Sequence, residues 1–541
     1  MNIGIDLDNT IINYEEVFLR YAQKLGLIPD DWTGNKNSLR SMIRQGPDGE
    51  THWMRLQGKV YGEGVRFAKL YPGVERFLWR CRVRGLNVHL ISHKTEFGHL
   101  DQKKINLREA ALRFLEKKGL YSADSESLVL SVNFFSSRDE KVAEIASSHF
   151  TWFIDDLIEV VKHLEFPSET NAIWFNPYLG SANNNVQTAV SWVEIENTIF
   201  SKWSKSELIH AAQEIAKQHV KEICWIGGHG NSGIAKVSFL DGSYGALKLY
   251  AANSQQERID REYRTFKILR ELGNRNVPQS IGSSSLLGMA VYEWIAGSLI
   301  SEVNAETVSK ASKLLRFLQT DEVRSRFEHS APASAAVFSR EQLEQQIANR
   351  IQGFEQAPSV PQIVSQFIQK EIAPAFETIR VHSRRSWPNV GCSDELNQEG
   401  RVLSPSDFGA HNWLQREDGG ISFLDFEYFG WDDPAKLICD FLLHPAMVLT
   451  KDARSRWIHE TEKLYGFKAL QRANSMYGLI GITWSLIVLN KTKEDMRVRF
   501  NNQKNTEPIN KEKYIQQQLC KSKEALNQVK LACSTPDPIS N

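Results

Sequence analysis

Along the first 177 residues, short apolar runs alternate with stretches whose apolar residues recur at helical spacing. The runs are Ile3 to Leu7, Val88 to Ser92, Leu128 to Val132, Trp152 to Ile154 and Ala172 to Phe175. Strands separated by helices predict an α/β domain built on a doubly wound parallel sheet. Between the first two runs, residues 14–71 form a polar insert containing Trp and Gly, too long for a tight crossover and expected to be a small, mostly helical cap. Leu179 to Asn185 supply turn formers and little to bury, which puts a boundary near 180–205. From Ile223 the pattern changes to two apolar segments around a Gly-rich turn, then strands at Tyr244 to Tyr250 and Leu287 to Trp294 with a charged helix at Gln255 to Leu272 between them. Helical patterns dominate from Ala305, interrupted by Ser404 to Phe429. The expected order is an N-terminal domain over 1–200, then a two-lobed α+β domain over 205–495 with a β-rich lobe at 220–297 and a helical lobe at 298–495. Residues 496–541, rich in Lys, Asn and Gln, are expected to be a polar tail with a disordered end.

Composition narrows the partners. With 65 basic and 65 acidic residues in 541, no charge excess favours nucleic acid, and a small-molecule substrate is the default. No apolar run reaches the length of a membrane span, and the first residues lack a basic-then-apolar leader, so they are expected to belong to the fold. Six cysteines without paired spacing read as reduced thiols, and the expected location is cytoplasmic. No Cys/His cluster has zinc spacing, and Ser92 lacks a G-x-S-x-G elbow. Trp174, Trp413 and Trp484 lie in apolar runs and are expected in cores. Arg76 to Arg84 alternates basic with apolar residues, as on a solvated helix face.

Two segments carry chemistry. In Ile3-Gly4-Ile5-Asp6-Leu7-Asp8-Asn9-Thr10, a strand ends in two carboxylates one residue apart, aimed at one point above the carboxyl end of the sheet. One carboxylate can attack phosphorus while its neighbour protonates the leaving oxygen, given Mg²⁺ and a cation to offset the phosphoryl charge. Ser92 at the end of the second strand, Lys141 before a helix and Asp155-Asp156 at a later strand end supply such parts in order. Residues 1–177 therefore resemble the haloacid dehalogenase superfamily. That resemblance implies Asp6 as nucleophile, Asp8 as general acid/base, Thr10 and Ser92 as hydrogen-bonders and Lys141 as charge clamp. It also implies Mg²⁺ held by Asp6, the backbone carbonyl of Asp8 and Asp155, with Asp156 as a further candidate.

In the second segment, Ile226 to Gly233 contains G-x-G-x-x-G through Gly228, Gly230 and Gly233. A strand follows, not a helix, so the loop is expected to cover nucleotide phosphates as in kinases. Lys248 on the next strand can pair with Glu262 on the helix after it. Ser404-Pro405-Ser406-Asp407-Phe408-Gly409-Ala410-His411-Asn412 places Asn five residues after Asp, the spacing of a loop in which Asp accepts a hydroxyl proton and Asn binds Mg²⁺, and Asp425 offers a second metal ligand. Residues 220–450 resemble the aminoglycoside phosphotransferase and choline kinase family. That resemblance implies a hinge at Tyr292-Glu293-Trp294 meeting the base of ATP or GTP through backbone groups. One departure stands out: Pro405-Ser406 replaces the family's usual His-Gly. His411 is left open between contacting substrate and filling space.

Together these imply a bifunctional enzyme, a phosphatase of a small phosphate ester fused to a kinase of a small metabolite's hydroxyl, with Mg²⁺ at both sites. Two alternatives are a chain with one catalytic and one ligand-sensing domain, and an aminoglycoside-type antibiotic phosphotransferase.

Overall fold

The computed structural model describes every residue except 102, 123–126, 179–185, 201, 228–231, 251–254, 358, 389–394, 494–510, 536–537 and 540–541. The chain divides into two compact units, Met1–Ala211 and Ala212–Asn541.

In the first unit, six strands make one parallel sheet in the spatial order Ser131–Phe135, Asn87–His93, Asn2–Ile5, Trp152–Asp155, Asn171–Phe175 and Gln187–Ala189. The first strand lies inside, and its registers with Asn87–His93 on one side and Trp152–Asp155 on the other meet where the strand order reverses. Open α/β sheets leave a crevice at that point. The segment expected as a strand over Leu128 to Val132 pairs instead as Ser131–Phe135. Apolar residues go on past Ser131 and Asn133 to Phe134 and Phe135, and so long a run does not fix where pairing begins. The last strand and the helix Trp192–Phe200, which packs beside it, had no counterpart in the sequence pattern. The insert carries helices Glu15–Lys24, Lys36–Gln45 and Gly49–Tyr61. It leaves and re-enters through a two-stranded pairing of Ile12 with Leu70 and Asn13 with Lys69. Phe18 stacks on Trp53 at 5.2 Å inside the insert.

Arg76 and Arg80 are not on a solvated face. They are buried, and with Arg84 they grip Glu196 and Glu207 at 2.8 Å. Burial pushes the Glu207 carboxyl up, but hydrogen bonds from Arg84 and Arg80 outweigh it and pull the pKa down to about 2.

The second unit opens with an antiparallel five-stranded sheet, ordered Ser280–Ser284, Met289–Glu293, Tyr244–Leu249, Gly233–Phe239 and Val220–Gly227, with the helix Gln255–Glu271 in the connection. Helices dominate from Ala305 onward, interrupted by short strand pairs around residues 402–432. Residues 511–532, expected within a polar tail, form a helix that buries Ile515, Leu519, Leu526 and Val529. It lies against Phe467–Leu489: Ser522 Oγ donates to the Ser485 carbonyl at 2.9 Å, and Gly481 leaves room for Val529. The apolar residues recur at helical spacing while Lys and Gln fill the other face, so average polarity hid the stripe. Among the described residues, no helix is long and apolar enough to cross a membrane.

Candidate active sites

In the first unit, Asp6 follows one strand and Asp155 ends its neighbour at the reversal point, and Lys141 enters from the first turns of the helix Arg138–Ser147. Its Nζ donates to Asp6 Oδ1 and Asp155 Oδ2, both at 2.6 Å, and all three side chains are buried. Asp156 completes a group of three carboxylates, with Asp6 and Asp155, whose oxygens lie within 4.8 Å of one another. One ammonium among three carboxylates leaves an excess of two negative charges, which suits a divalent cation with oxygen ligands. The same imbalance appears in the titration. Burial pushes the Asp6 carboxyl up to about 7, because Lys141, shared with Asp155, does not offset burial and the neighbouring carboxylates. Burial works against the Lys141 ammonium too, yet Asp155 and Asp6 together outweigh it and hold it above its ordinary value.

Thr10 Oγ1 donates to Asp6 Oδ2 at 3.3 Å and accepts the Asp156 N–H at 3.1 Å, while Trp192 Nε1 donates to the Thr10 carbonyl at 2.9 Å. The unforeseen helix Trp192–Phe200 thus braces the loop after Asp6. Asn9 holds a left-handed φ of 65° in that loop. Ser92 Oγ is buried with no hydrogen-bond partner among the described residues, as a hydroxyl reserved for a ligand oxygen would be. Asp8 is engaged by two residues not foreseen, Lys94 Nζ at 2.5 Å and Tyr14 OH at 2.8 Å. Lys94 stands two residues after Ser92 on the same face, a period-two signal available in the sequence. Tyr14 had none beyond its place in the insert. From the insert, Lys36 faces Asp156, Asp8 and Glu15; burial lowers its pKa more than those carboxylates raise it. Trp174, expected in a core, is half-buried and donates to the Asp156 carbonyl at 3.0 Å.

In the second unit, Lys248 bonds Glu262 Oε2 and Asp425 Oδ1, both at 2.6 Å, and lies 3.4 Å from Glu427. Burial disfavours the Lys248 ammonium, but Asp425, Glu262 and Glu427 outweigh it and hold its pKa well above the ordinary value. Burial pushes Glu262 up to about 7 despite Lys248. Glu262 is fixed further by Tyr250 OH at 2.5 Å and by the Phe426 N–H at 3.0 Å. Glu262, Asp425 and Glu427 form a second carboxylate trio within 4.8 Å. Glu427, two residues beyond Asp425, was not foreseen; it also takes Ser232 Oγ at 3.3 Å and Arg258 at 3.4 Å.

Asp407 follows Ser406, whose φ is 67°. Asn412 Nδ2 donates to the Asp407 carbonyl at 3.1 Å, and the Leu424 N–H donates to the Asn412 carbonyl at 2.9 Å, which ties the Asp407 loop to the segment bearing Asp425. His411 Nε2 lies 3.3 Å from Asp407 Oδ2, and His444 Nε2 lies 3.1 Å from Oδ1. Burial pushes the Asp407 carboxyl up, but hydrogen bonds from both imidazoles override it and leave the carboxyl well below its usual range. His444 gave no sequence signal, being 37 residues from Asp407 and outside any motif. Trp413 is a core residue, whereas Trp484 is half-buried and meets the His444 ring edge-on at 4.5 Å.

Gly228 and Gly230 lie outside the described residues. At Gly233 a Cβ would stand 2.4 Å from the Trp225 ring, so close packing accounts for that glycine. At the expected hinge, the Glu293 N–H donates to the Gln279 carbonyl at 2.9 Å and the Trp294 N–H to that of Tyr244 at 3.3 Å. The Glu293 carboxylate pairs with Arg270 at 3.2 Å, and Lys236 covers the Trp294 ring at 4.9 Å.

Residues 240–474, all within the second unit, match the model of the phosphotransferase enzyme family. Solved structures are similar to part of the chain. A spectinomycin phosphotransferase in complex with ADP and spectinomycin shares 11% identity over 60% of this chain and 98% of its own, with a TM-score of 0.42. The ethanolamine kinase of Plasmodium vivax shares 14% over 59% and 87%, with a TM-score of 0.41. A choline kinase of Streptococcus pneumoniae shares 14% over 59% and 97%, with a TM-score of 0.37. No curated protein matches the chain.

Proposed function

We propose that the second unit transfers the terminal phosphoryl group of ATP to a hydroxyl of a small molecule. The observation that carries this is the joining of Lys248 to both Glu262 and Asp425 at 2.6 Å within a segment matching a phosphotransferase family. Kinases need a lysine held by a helix glutamate to meet nucleotide phosphates, and an aspartate beside it for the metal. Asp425 and the Asn412 side chain would hold Mg²⁺, which supplies positive charge to the phosphate oxygens in transfer. Lys248 orients those oxygens, and Glu262 and Tyr250 keep Lys248 in place. Asp407 accepts the hydroxyl proton as the O–P bond forms and the bond to the leaving ADP oxygen breaks. At the hinge, the amides of Glu293 and Trp294 are already donated within the sheet, so base recognition there falls to carbonyls or to residues beyond Trp294. The test is ADP release with a panel of sugars and amino alcohols. Lys248→Ala is expected to raise the KM for ATP and cut kcat at least about a hundredfold, whereas unchanged kinetics would remove Lys248, and the reading with it.

The Asp6 cluster favours a second reading for the first unit, hydrolysis of a small phosphate ester. Asp6 attacks phosphorus and carries the phosphoryl group as an aspartyl phosphate; Asp8 hands a proton to the leaving oxygen and then takes one from water. Lys141 and the Ser92 hydroxyl, which has no partner among the described residues, would bind phosphoryl oxygens. Mg²⁺, held by Asp6, Asp155 and the carbonyl of Asp8, with Asp156 close by, would offset their charge. Lys36 and Lys94 add cations that suit an anionic ester.

A further inference from the structure

We infer that His444 is a positioning residue for Asp407: a neutral imidazole, protonated on Nε2, that donates to one carboxylate oxygen and holds the proton acceptor in line. This rests on the phosphotransferase reading of the second unit.

The tautomer follows from the hydrogen bonds at the two ring nitrogens. The Ala446 N–H donates to His444 Nδ1 at 3.1 Å, so Nδ1 offers a lone pair and carries no proton. The ring proton is then on Nε2, which lies 3.1 Å from Asp407 Oδ1. An imidazolium would bring two N–H groups together at Nδ1. The ring cannot easily turn away. It terminates the helix Pro434–Leu443, stacks on His411 with centroids 4.5 Å apart, and meets Trp484 edge-on. His411 covers the other oxygen from inside the loop, and Gly409 makes room for it, since a Cβ there would stand 2.6 Å from His411 Nδ1.

The ligand atoms of Asp407, His411 and His444 lie within 4.8 Å of one another, a spacing that also suits a transition metal. The donor set argues otherwise. A cation on His444 Nε2 needs the lone pair there and the proton on Nδ1, where the Ala446 N–H already donates. The site is built to hold protons. Pro405, two residues before Asp407, has no side-chain donor, and His444 brings one from a distant segment.

Two measurements on the full chain decide this. Long-range ¹H–¹⁵N NMR of histidine-labelled protein, with His444 identified by its loss in His444→Gln, is expected to show an unprotonated Nδ1 and a protonated Nε2. The Nε2–H signal should move in Asp407→Asn. An Nδ1-protonated ring, or an Nε2–H indifferent to Asp407→Asn, would overturn the assignment. MgATP turnover with water as acceptor gives the functional readout. His444→Phe keeps the ring but not the donor, and kcat should fall about ten- to a hundredfold at nearly constant KM. His444→Gln, whose amide can reach the same oxygen, should recover most of it. Equal losses in both variants, or none, would contradict the role. A wild-type chain that transfers phosphate from MgATP neither to water nor to any of the sugars and amino alcohols would defeat the underlying phosphotransferase reading and the catalytic role with it, while the NMR result still decides the hydrogen bond.

Discussion

Ser406 shows how a loop can hold a residue other than glycine in a left-handed conformation. Its φ of 67° lies in the left-handed region, which costs a non-glycine residue about 1–2 kcal/mol. Ser406 offsets part of the cost, since its N–H donates to Ser404 Oγ at 3.0 Å and its hydroxyl to the Ser334 carbonyl at 3.3 Å. Ser406→Gly should therefore leave turnover intact and the melting temperature at or above that of the parent. Ser406→Val should lose about 1–3 kcal/mol by calorimetry. A large loss in the glycine variant would mean that the hydroxyl matters more than the backbone. Asp6 offers a pH test at the same scale. Its pKa is raised from 3.8 to about 7, first by burial. Between those values the folded state binds more protons than the unfolded, so this contribution to stability falls as pH rises and levels off above about 7. Mg²⁺ should accordingly raise the melting temperature of the first unit more at about pH 7.5 than at about pH 5.5, and Asp6→Asn should flatten the difference. An equal Mg²⁺ effect at both pH values would argue against Asp6 as a ligand.

The helix Val74–Val83 carries the clearest lesson at the scale of elements. Arginines between apolar residues have the pattern of a solvated face, and pattern cannot reveal that Glu196 and Glu207, more than a hundred residues later, return to meet them. Removing one member of such a buried network leaves a charge without its partner. Arg80→Ala should cost about 3–5 kcal/mol in urea denaturation near neutral pH. Glu207, drawn down to about 2 from 4.5, adds stability that is complete above 4.5 and is lost as pH falls toward 2. The Arg80→Ala penalty should shrink over that interval, and a penalty independent of pH would show that packing, not charge, holds the helix. The end of the chain misled for a related reason: composition averages over a helix whose one apolar face is what packs.

At the scale of the molecule, the strand pattern led to the parallel sheet and to the small antiparallel lobe because both rest on local period-two and helical repeats. Asp6, Lys141, Asp155, Lys248, Glu262 and Asp425 stood in motifs whose order along the chain, with the family resemblances, suggested their chemistry, and the fold brings them within bonding distance in two clusters. What stayed hidden came from elsewhere in the chain: Tyr14 from the insert, Trp192 from a helix beyond the expected sheet, His444 from the end of a helix. No local repeat encodes such meetings. On the proposed reading, the chain holds two separate phosphate chemistries, one at Asp407 and one at Asp6. The most direct measurement is ³¹P NMR of the purified chain with MgATP and a panel of alcohols and their phosphate esters. In the parent, the terminal phosphoryl of ATP should appear on an added alcohol, and inorganic phosphate should appear from an added ester. Asp407→Asn should lose the first signal alone, and Asp6→Asn the second alone. Transfer from ATP undiminished in Asp407→Asn, or loss of both signals from either substitution, would contradict the account.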